Sequence, residues 1–314
     1  MRRQRGIALI TAILLVALAT ILAATIGYEN AMSARRGTAT FAFDESLEVA
    51  KAAEAIAASA LRASRQQYPT VTYTGQIWST PYGPIDLVPG VTLEAWLEDT
   101  QGRFNLNNLV NGDGTTNPDA VAVFGNLLTL LGLEPTWAPM MADWIDSDTI
   151  PNNPNGAEDS VYLSQTPPYR AANMYITTPS EILALPGFGR DRYLKLAPYI
   201  TALPQGSLIN LCDASMTLLN ALGPAGTINV SDATSMAQSR SQGCWPTLQE
   251  FNAFFSSDAA AQQKADQMVS TSASSYFTLT SIVSIGATQF ALYSLLYQDG
   301  SLRVRSIQRS FTAD

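Results

Sequence analysis

From Ile7 to Ile26 the chain reads IALITAILLVALATILAATI, 20 residues in a row without a charge. As a helix rising about 1.5 Å per residue, such a run crosses the roughly 30 Å hydrocarbon core of a bilayer. Arg2, Arg3 and Arg5 precede it and Glu29 and Asn30 follow. That bias holds the N-terminus in the cytoplasm and sends the body outward, although Arg35 and Arg36 beyond the run work against it. A cleaved secretory signal is the competing reading, because Leu22, Ala23 and Ala24 offer small residues for a cut near Ala24. Against it, the run exceeds the roughly 7–15 residues of a signal core, and no proline interrupts the chain before Pro69. Beyond Gly37, the residues Phe43, Leu47, Ala50, Ala53 and Ile56 recur at spacings of three or four, an apolar stripe on one helix face. The pattern predicts one helix, in lipid over 7–30 and packed on a folded body over 31–66.

Past that helix the periodicity changes to two, in Val71–Trp78 and Val91–Asp99, with Pro-Gly breaks between them. Helix-like segments then dominate residues 111–274. Alternation returns over Ser275–Phe311, where Asp299-Gly300 is placed to turn a hairpin. The expected architecture is therefore α+β: a long N-terminal helix on a sheet drawn from 67–110 and 275–314, with a helical domain inserted at 111–274.

The chain contains no histidine and two cysteines, and its formal net charge is −8. Without imidazole there is no Ser-His-Asp relay and no common general base near neutral pH, so an enzyme is not expected. An acidic body repels phosphate backbones, so nucleic acid is not an expected partner. Cys212 and Cys244 cannot make a four-thiolate zinc site, and a disulfide is their natural use in an oxidising compartment.

The loop DWIDSDTIPNNPNGAED gathers Asp143, Asp146, Asp148, Glu158 and Asp159 with Asn152, Asn153 and Asn155. Oxygen donors on a flexible loop suit Ca²⁺ better than Zn²⁺ or Mg²⁺, yet the same residues also build solvated Asx turns. The spacing is not that of an EF-hand, and crowded carboxylates favour a cation over a glycosidase pair. LALPGFGRDRYLKLAPYI could present backbone amides to a phosphate at Gly187 and Gly189, backed by Arg190, Arg192 and Lys195, or simply pack as a helical hairpin.

A short basic leader ending in Gly6 and running straight into the apolar helix resembles the class III signal of type IV pilins and pseudopilins. In that family a prepilin peptidase cuts after the glycine and methylates the new N-terminus, here Gly6 and Ile7. The fifth mature residue is then Thr11 where most pilins carry Glu, a departure that resembles the K-type minor pseudopilins of type II secretion. QGRFNLNNL (Gln101–Leu109), DWIDSD (Asp143–Asp148), GAED (Gly156–Asp159), PPYRAAN (Pro167–Asn173) and SEILALPGFG (Ser180–Gly189) follow in that family's order. The resemblance implies a pseudopilin fold, with the chain anchored in the bacterial inner membrane and its body in the periplasm. It implies calcium on the acidic loop, at Asp143, Asp146, Asp148, Asn152, Asn155, Glu158 and Asp159. It also implies a tip complex with I-type and J-type minor pseudopilins, capping and initiating assembly of the major pseudopilin. A minor type IV pilin for adhesion or DNA uptake shares the leader but should carry Glu at the fifth position and lack the large insertion.

Overall fold

The computed structural model describes residues 5–152, 154–223, 233–255 and 258–312. Helix α1 runs unbroken from Arg5 to Gln67. Within its apolar part, the hydroxyls of Thr20 and Thr25 donate back to carbonyls one turn earlier at 2.6–3.2 Å, so these polar groups need no outside partner. Pro69 cannot continue the helix and biases the residue before it away from helical geometry. Ala50, Ala53, Ala57 and Leu61 form its buried face, and the alanines let the sheet come close. The expected stripe therefore drifts: Ile56 is 39% exposed, and Phe43, 43% exposed, packs edge-on against Phe290 with ring centroids 5.1 Å apart.

Two strands follow, β1 (Tyr82–Val88) and β2 (Val91–Asp99). β2 alternates buried and accessible residues as its sequence predicts. Residues 71–78 do not form the expected strand. Gln76 is buried there; its side chain donates to the Val71 carbonyl (3.0 Å) and accepts from Ser64 (2.9 Å) and Trp78 (2.8 Å), so the backbone wraps around it. β1 instead occupies the presumed Pro-Gly break, because an exposed edge strand tolerates Pro84, which cannot donate to a ladder.

The chain then leaves the sheet through β3 (Phe104–Asn105), α2 (Pro118–Leu130), α3 (Trp137–Ile145), α4 (Asp159–Tyr162), α5 (Gly189–Leu196), β4 (Ile200–Thr201) and β5 (Ile209–Asn210). It continues through α6 (Met216–Leu222), α7 (Ala233–Gln242), α8 (Leu248–Ala253), α9 (Ala259–Asp266) and β6 (Val269–Ser270) before returning. These elements enclose their own core, in which Phe104 stacks on Phe124 at 5.4 Å and to which Leu127, Met141 and Phe188 also belong. The minute pairs β3–β4 and β5–β6 are parallel.

β7 (Tyr276–Ile285), β8 (Thr288–Gln298) and β9 (Val304–Ser310) complete an antiparallel sheet in the order β1-β2-β7-β8-β9. Three strands stand where two were expected, because Gly286, at φ +59°, turns an extra hairpin. The anticipated Asp299 turn joins β8 to β9, its carboxylate accepting from the Ser301 and Arg303 amides at 2.8 and 3.0 Å. β2 and β7 pair without a break from Val91↔Ile285 to Asp99↔Phe277, so the insertion leaves and re-enters between neighbouring strands.

The junction is polar. Buried Asp99 accepts from Gln101 N (2.9 Å), Asn210 Nδ2 (2.7 Å) and Ser274 Oγ (2.5 Å), while Arg65 of α1 donates to the Ser274 carbonyl. Within QGRFNLNNL, Asn105 caps the turn that follows by accepting from the Asn107 amide (3.2 Å), and both Asn105 and Asn107 are buried clamps. Asn107 bonds both the Ile176 amide and carbonyl (2.9 and 3.0 Å) and the Leu203 carbonyl (2.8 Å).

Candidate metal centre

α3 delivers Asp143 in its last turn and ends at Asp146, whose extended backbone opens the acidic loop; α4 closes the loop just after Glu158. The loop is organised from Asp143. Its carboxylate accepts from the Asn152 amide at 3.1–3.2 Å, from the Asn152 side chain and from the Ala157 amide at 2.6 Å. The Asn152 Nδ2 also reaches Thr116 Oγ1 (2.8 Å), which in turn donates to Asp146 Oδ2 (3.0 Å). Gly156 makes this wrapping possible. A Cβ there would stand 2.2 Å from Asn152 N and 2.3 Å from Asp143 Oδ2. Beneath lie the rings of Trp144, Tyr162 and Tyr169, 5.0–6.3 Å apart.

Of the seven residues that the resemblance implies as calcium ligands, the fold brings three together. Carboxylate oxygens of Asp146, Asp148 and Glu158 all lie within 4.8 Å of one another. Glu158 is 4% exposed and Asp146 1%, yet both Glu158 oxygens and Asp146 Oδ1 have no hydrogen-bond donor among the described residues. Buried carboxylate oxygens without donors are costly and call for a partner. Ca²⁺ binds oxygen at about 2.3–2.6 Å, so two of its ligands can stand up to roughly 5 Å apart, whereas the shorter bonds of Mg²⁺ would require a tighter set. The trio fits calcium.

Electrostatics agree with that fit. Burial, then the charges of Asp143, Asp146, Asp148 and Asp159, pushes Glu158 up to about 7. Burial raises Asp143 to about 6 despite its donors and also raises Asp146. A divalent cation would reverse this repulsion.

The other named residues do different work. Asp143 and Asn152 hold the loop. Asn155 is exposed on the turn, Asn153 lies outside the described residues, and Asp159 accepts from the Ala171 amide (3.1 Å) beside Arg170 (3.5 Å). Thr116 and Gly156, neither of them among the implied ligands, also shape the site. Thr116 comes from a distant loop that only the tertiary fold brings here, while Asn155-Gly156 carries a turn signal that hinted at the tight approach.

Elsewhere, Gly6 and Ile7 lie in the α1 backbone, and residues 1–4 of the leader fall outside the described residues. The Ala8–Gln67 portion of α1 contains a window of mean hydropathy 2.7, none of it buried, long and apolar enough to cross a membrane. Cys212 and Cys244, with Cα atoms 4.5 Å apart, are joined in a disulfide. Arg240 braces it by donating to the Leu211, Ala214 and Trp245 carbonyls at 2.7–2.9 Å. In the hairpin of Gly187 and Gly189, Arg192 is held by Glu134 (3.2 Å) and lies over Trp137, which makes it a packing element.

A family model described as type II secretion system protein K matches residues 102–205, which include the acidic loop. Type II secretion system protein K of Pseudomonas aeruginosa is 32% identical over 96% of this chain and 92% of its own length. The Klebsiella pneumoniae protein of that name is 31% identical over 95% of this chain and 94% of its own. Among solved structures, the GspK-GspI-GspJ complex of the enterotoxigenic Escherichia coli type 2 secretion system contains a chain of like fold. Its TM-score is 0.76 and its identity 24%, over 89% of this chain and all of that one. With nearly full-length identity above 30% and a shared domain model, the chain belongs to the type II secretion system protein K family.

Proposed function

We propose that this protein is a structural, non-catalytic minor pseudopilin at the tip of the type II secretion pseudopilus. There it caps the fibre and initiates its assembly for export of folded proteins across the outer membrane. The observation that carries the reading is the bulk of the inserted domain, which has its own core, separate from that of the pilin-like helix and sheet, and joins the sheet between β2 and β7. Subunits stacked by their N-terminal helices can add below such a body but not above it. Thr11, in place of an acidic residue, suits a subunit with none ahead of it; it also disfavours an ordinary type IV pilin.

In this reading prepilin peptidase cuts between Gly6 and Ile7 and methylates Ile7, α1 holds the chain in the inner membrane, and the body stands in the periplasm. The solved relative is a complex with GspI and GspJ. By analogy, I-type and J-type minor pseudopilins are the immediate partners and the major pseudopilin follows beneath. Calcium would be held by Asp146, Asp148 and Glu158 on the frame of Asp143, Asn152 and Gly156. Bound there, it would neutralise the carboxylates and fix the loop.

Mixing the bodies of the three minor pseudopilins tests the tip role. A stable ternary complex on size exclusion, which then seeds polymerisation of the major subunit, is expected. A chain that stays monomeric and leaves fibre formation unchanged would refute it.

A further inference from the structure

We propose that Arg35 and Arg36 bind phosphates of anionic lipids at the outward face of the membrane that α1 crosses, an inference that rests on the anchor reading above. If hydrocarbon ends near Ile26, helical rise puts the Arg35 Cα about 13 Å beyond it. Helical side chains lean back over the preceding turn, about 5 Å, which brings the guanidinium to roughly 8 Å. The polar headgroup band is about 5–8 Å deep on each side, so Arg35 meets its outer edge and Arg36, about 1.5 Å farther along the helix, stands just outside it, within reach of the phosphates from the water side. Tyr28, exposed on the same stretch, lies at the level where aromatic side chains settle at a membrane interface.

The protein's own body does not use this pair. Residues 27–41 of α1 are exposed apart from the half-buried Met32 and Gly37, and packing on the sheet begins only near Phe43. Neither arginine has an ion-pair partner among the described residues. By contrast Arg103, Arg170, Arg192 and Arg309 each meet a carboxylate, and Arg65 and Arg240 meet carbonyls. Two positive charges so close after the span also work against the topology signal of Arg2, Arg3 and Arg5. Guanidinium groups bind phosphate through paired hydrogen bonds, and basic residues beside a membrane favour anionic lipid.

The test uses the full chain reconstituted in phosphatidylcholine vesicles containing trace spin-labelled phosphatidylglycerol or spin-labelled phosphatidylcholine. Electron paramagnetic resonance then reads which lipid is immobilised. The protein should prefer phosphatidylglycerol about fivefold, the scale of a single basic residue near an anionic surface. R35Q/R36Q should lose most of that preference. Arg303→Gln, on the body, should keep it. Because the leader's arginines are present in every variant, the difference isolates the outward pair. Equal selectivity in the full chain and R35Q/R36Q would overturn the inference, as would loss of binding to a partner pseudopilin with lipid selectivity unchanged, which would assign the pair to a protein surface. Flotation of the same samples separates the two readings: a chain that does not float with vesicles fails the anchor itself, whereas one that floats without lipid preference fails only this inference.

Discussion

Replacing Gly156 with alanine should open the acidic loop while leaving the domain's core folded. The added Cβ would meet Asn152 N at 2.2 Å, Asp143 Oδ2 at 2.3 Å and Asn152 O at 2.5 Å. Two of these are backbone atoms, so no rotamer change relieves the overlap. The least disruptive response swings the loop away from Asp143 and breaks the Asn152 and Ala157 amide bonds to its carboxylate. Hydrogen bonds to a charged group are each worth about 1.5–3 kcal/mol, so losing two costs about 3 kcal/mol or more. For a unit of this size that lowers Tm by about 6–12 °C. The same movement separates Glu158 from Asp146 and Asp148. Calcium at 100 times its Kd stabilises a native state by about 2.7 kcal/mol, and the variant should lose that increment as well. Thermal melts of the purified protein with EDTA and with millimolar calcium read both effects. Glu158→Gln is the companion: it should keep the loop but lose the calcium shift. The reasoning is refuted if Gly156→Ala melts with the parent and keeps its calcium shift, or if EDTA leaves the parent's Tm unchanged.

Other outcomes follow from the junctions. Burial, together with Asp213, pushes Asp99 from an ordinary 3.8 up to about 7. A raised carboxyl holds its proton in the folded state, so this contribution to stability is present at low pH and lost as pH rises through 3.8 to about 7; urea midpoints should decline over that window, and less steeply in Asp99→Asn. Glu54→Ala removes the acceptor of both Arg309 (2.7 and 2.8 Å) and Ser294 (2.7 Å), and should lower stability by about 1–3 kcal/mol, chiefly by freeing β9 from α1. Replacing Cys212 and Cys244 with serine should cost roughly 3–4 kcal/mol, read as a lower urea midpoint; thiols that react with a maleimide in the unfolded, unreduced parent would contradict the bond itself.

The long helix and the strands β2, β7 and β8 were legible because their apolar periodicity matches one buried face over many residues. Where a single polar side chain dictates the path, periodicity misled: Gln76 turns a strand-like stretch into an irregular wrap, and β1 hid in a Pro-Gly segment because an edge need not alternate. The acidic loop was visible as a concentration of oxygens, but its division of labour was not. Asp143 and Asp146 are three residues apart on one helix end, yet one is filled by amides and the other keeps an oxygen without a partner among the described residues. That difference depends on where Thr116, Asn152 and Ala157 arrive, which is a property of the tertiary fold. The clamping by Asn105 and Asn107 is hidden for the same reason, since their partners lie about 70 to 100 residues along the chain.

The most direct test of the pseudopilin account is the mass of the mature N-terminus in cells with and without prepilin peptidase. The account predicts a chain beginning at N-methylated Ile7 that appears only when the peptidase is present. A terminus near Ala24, or one indifferent to the peptidase, would contradict the anchor and the tip assignment together.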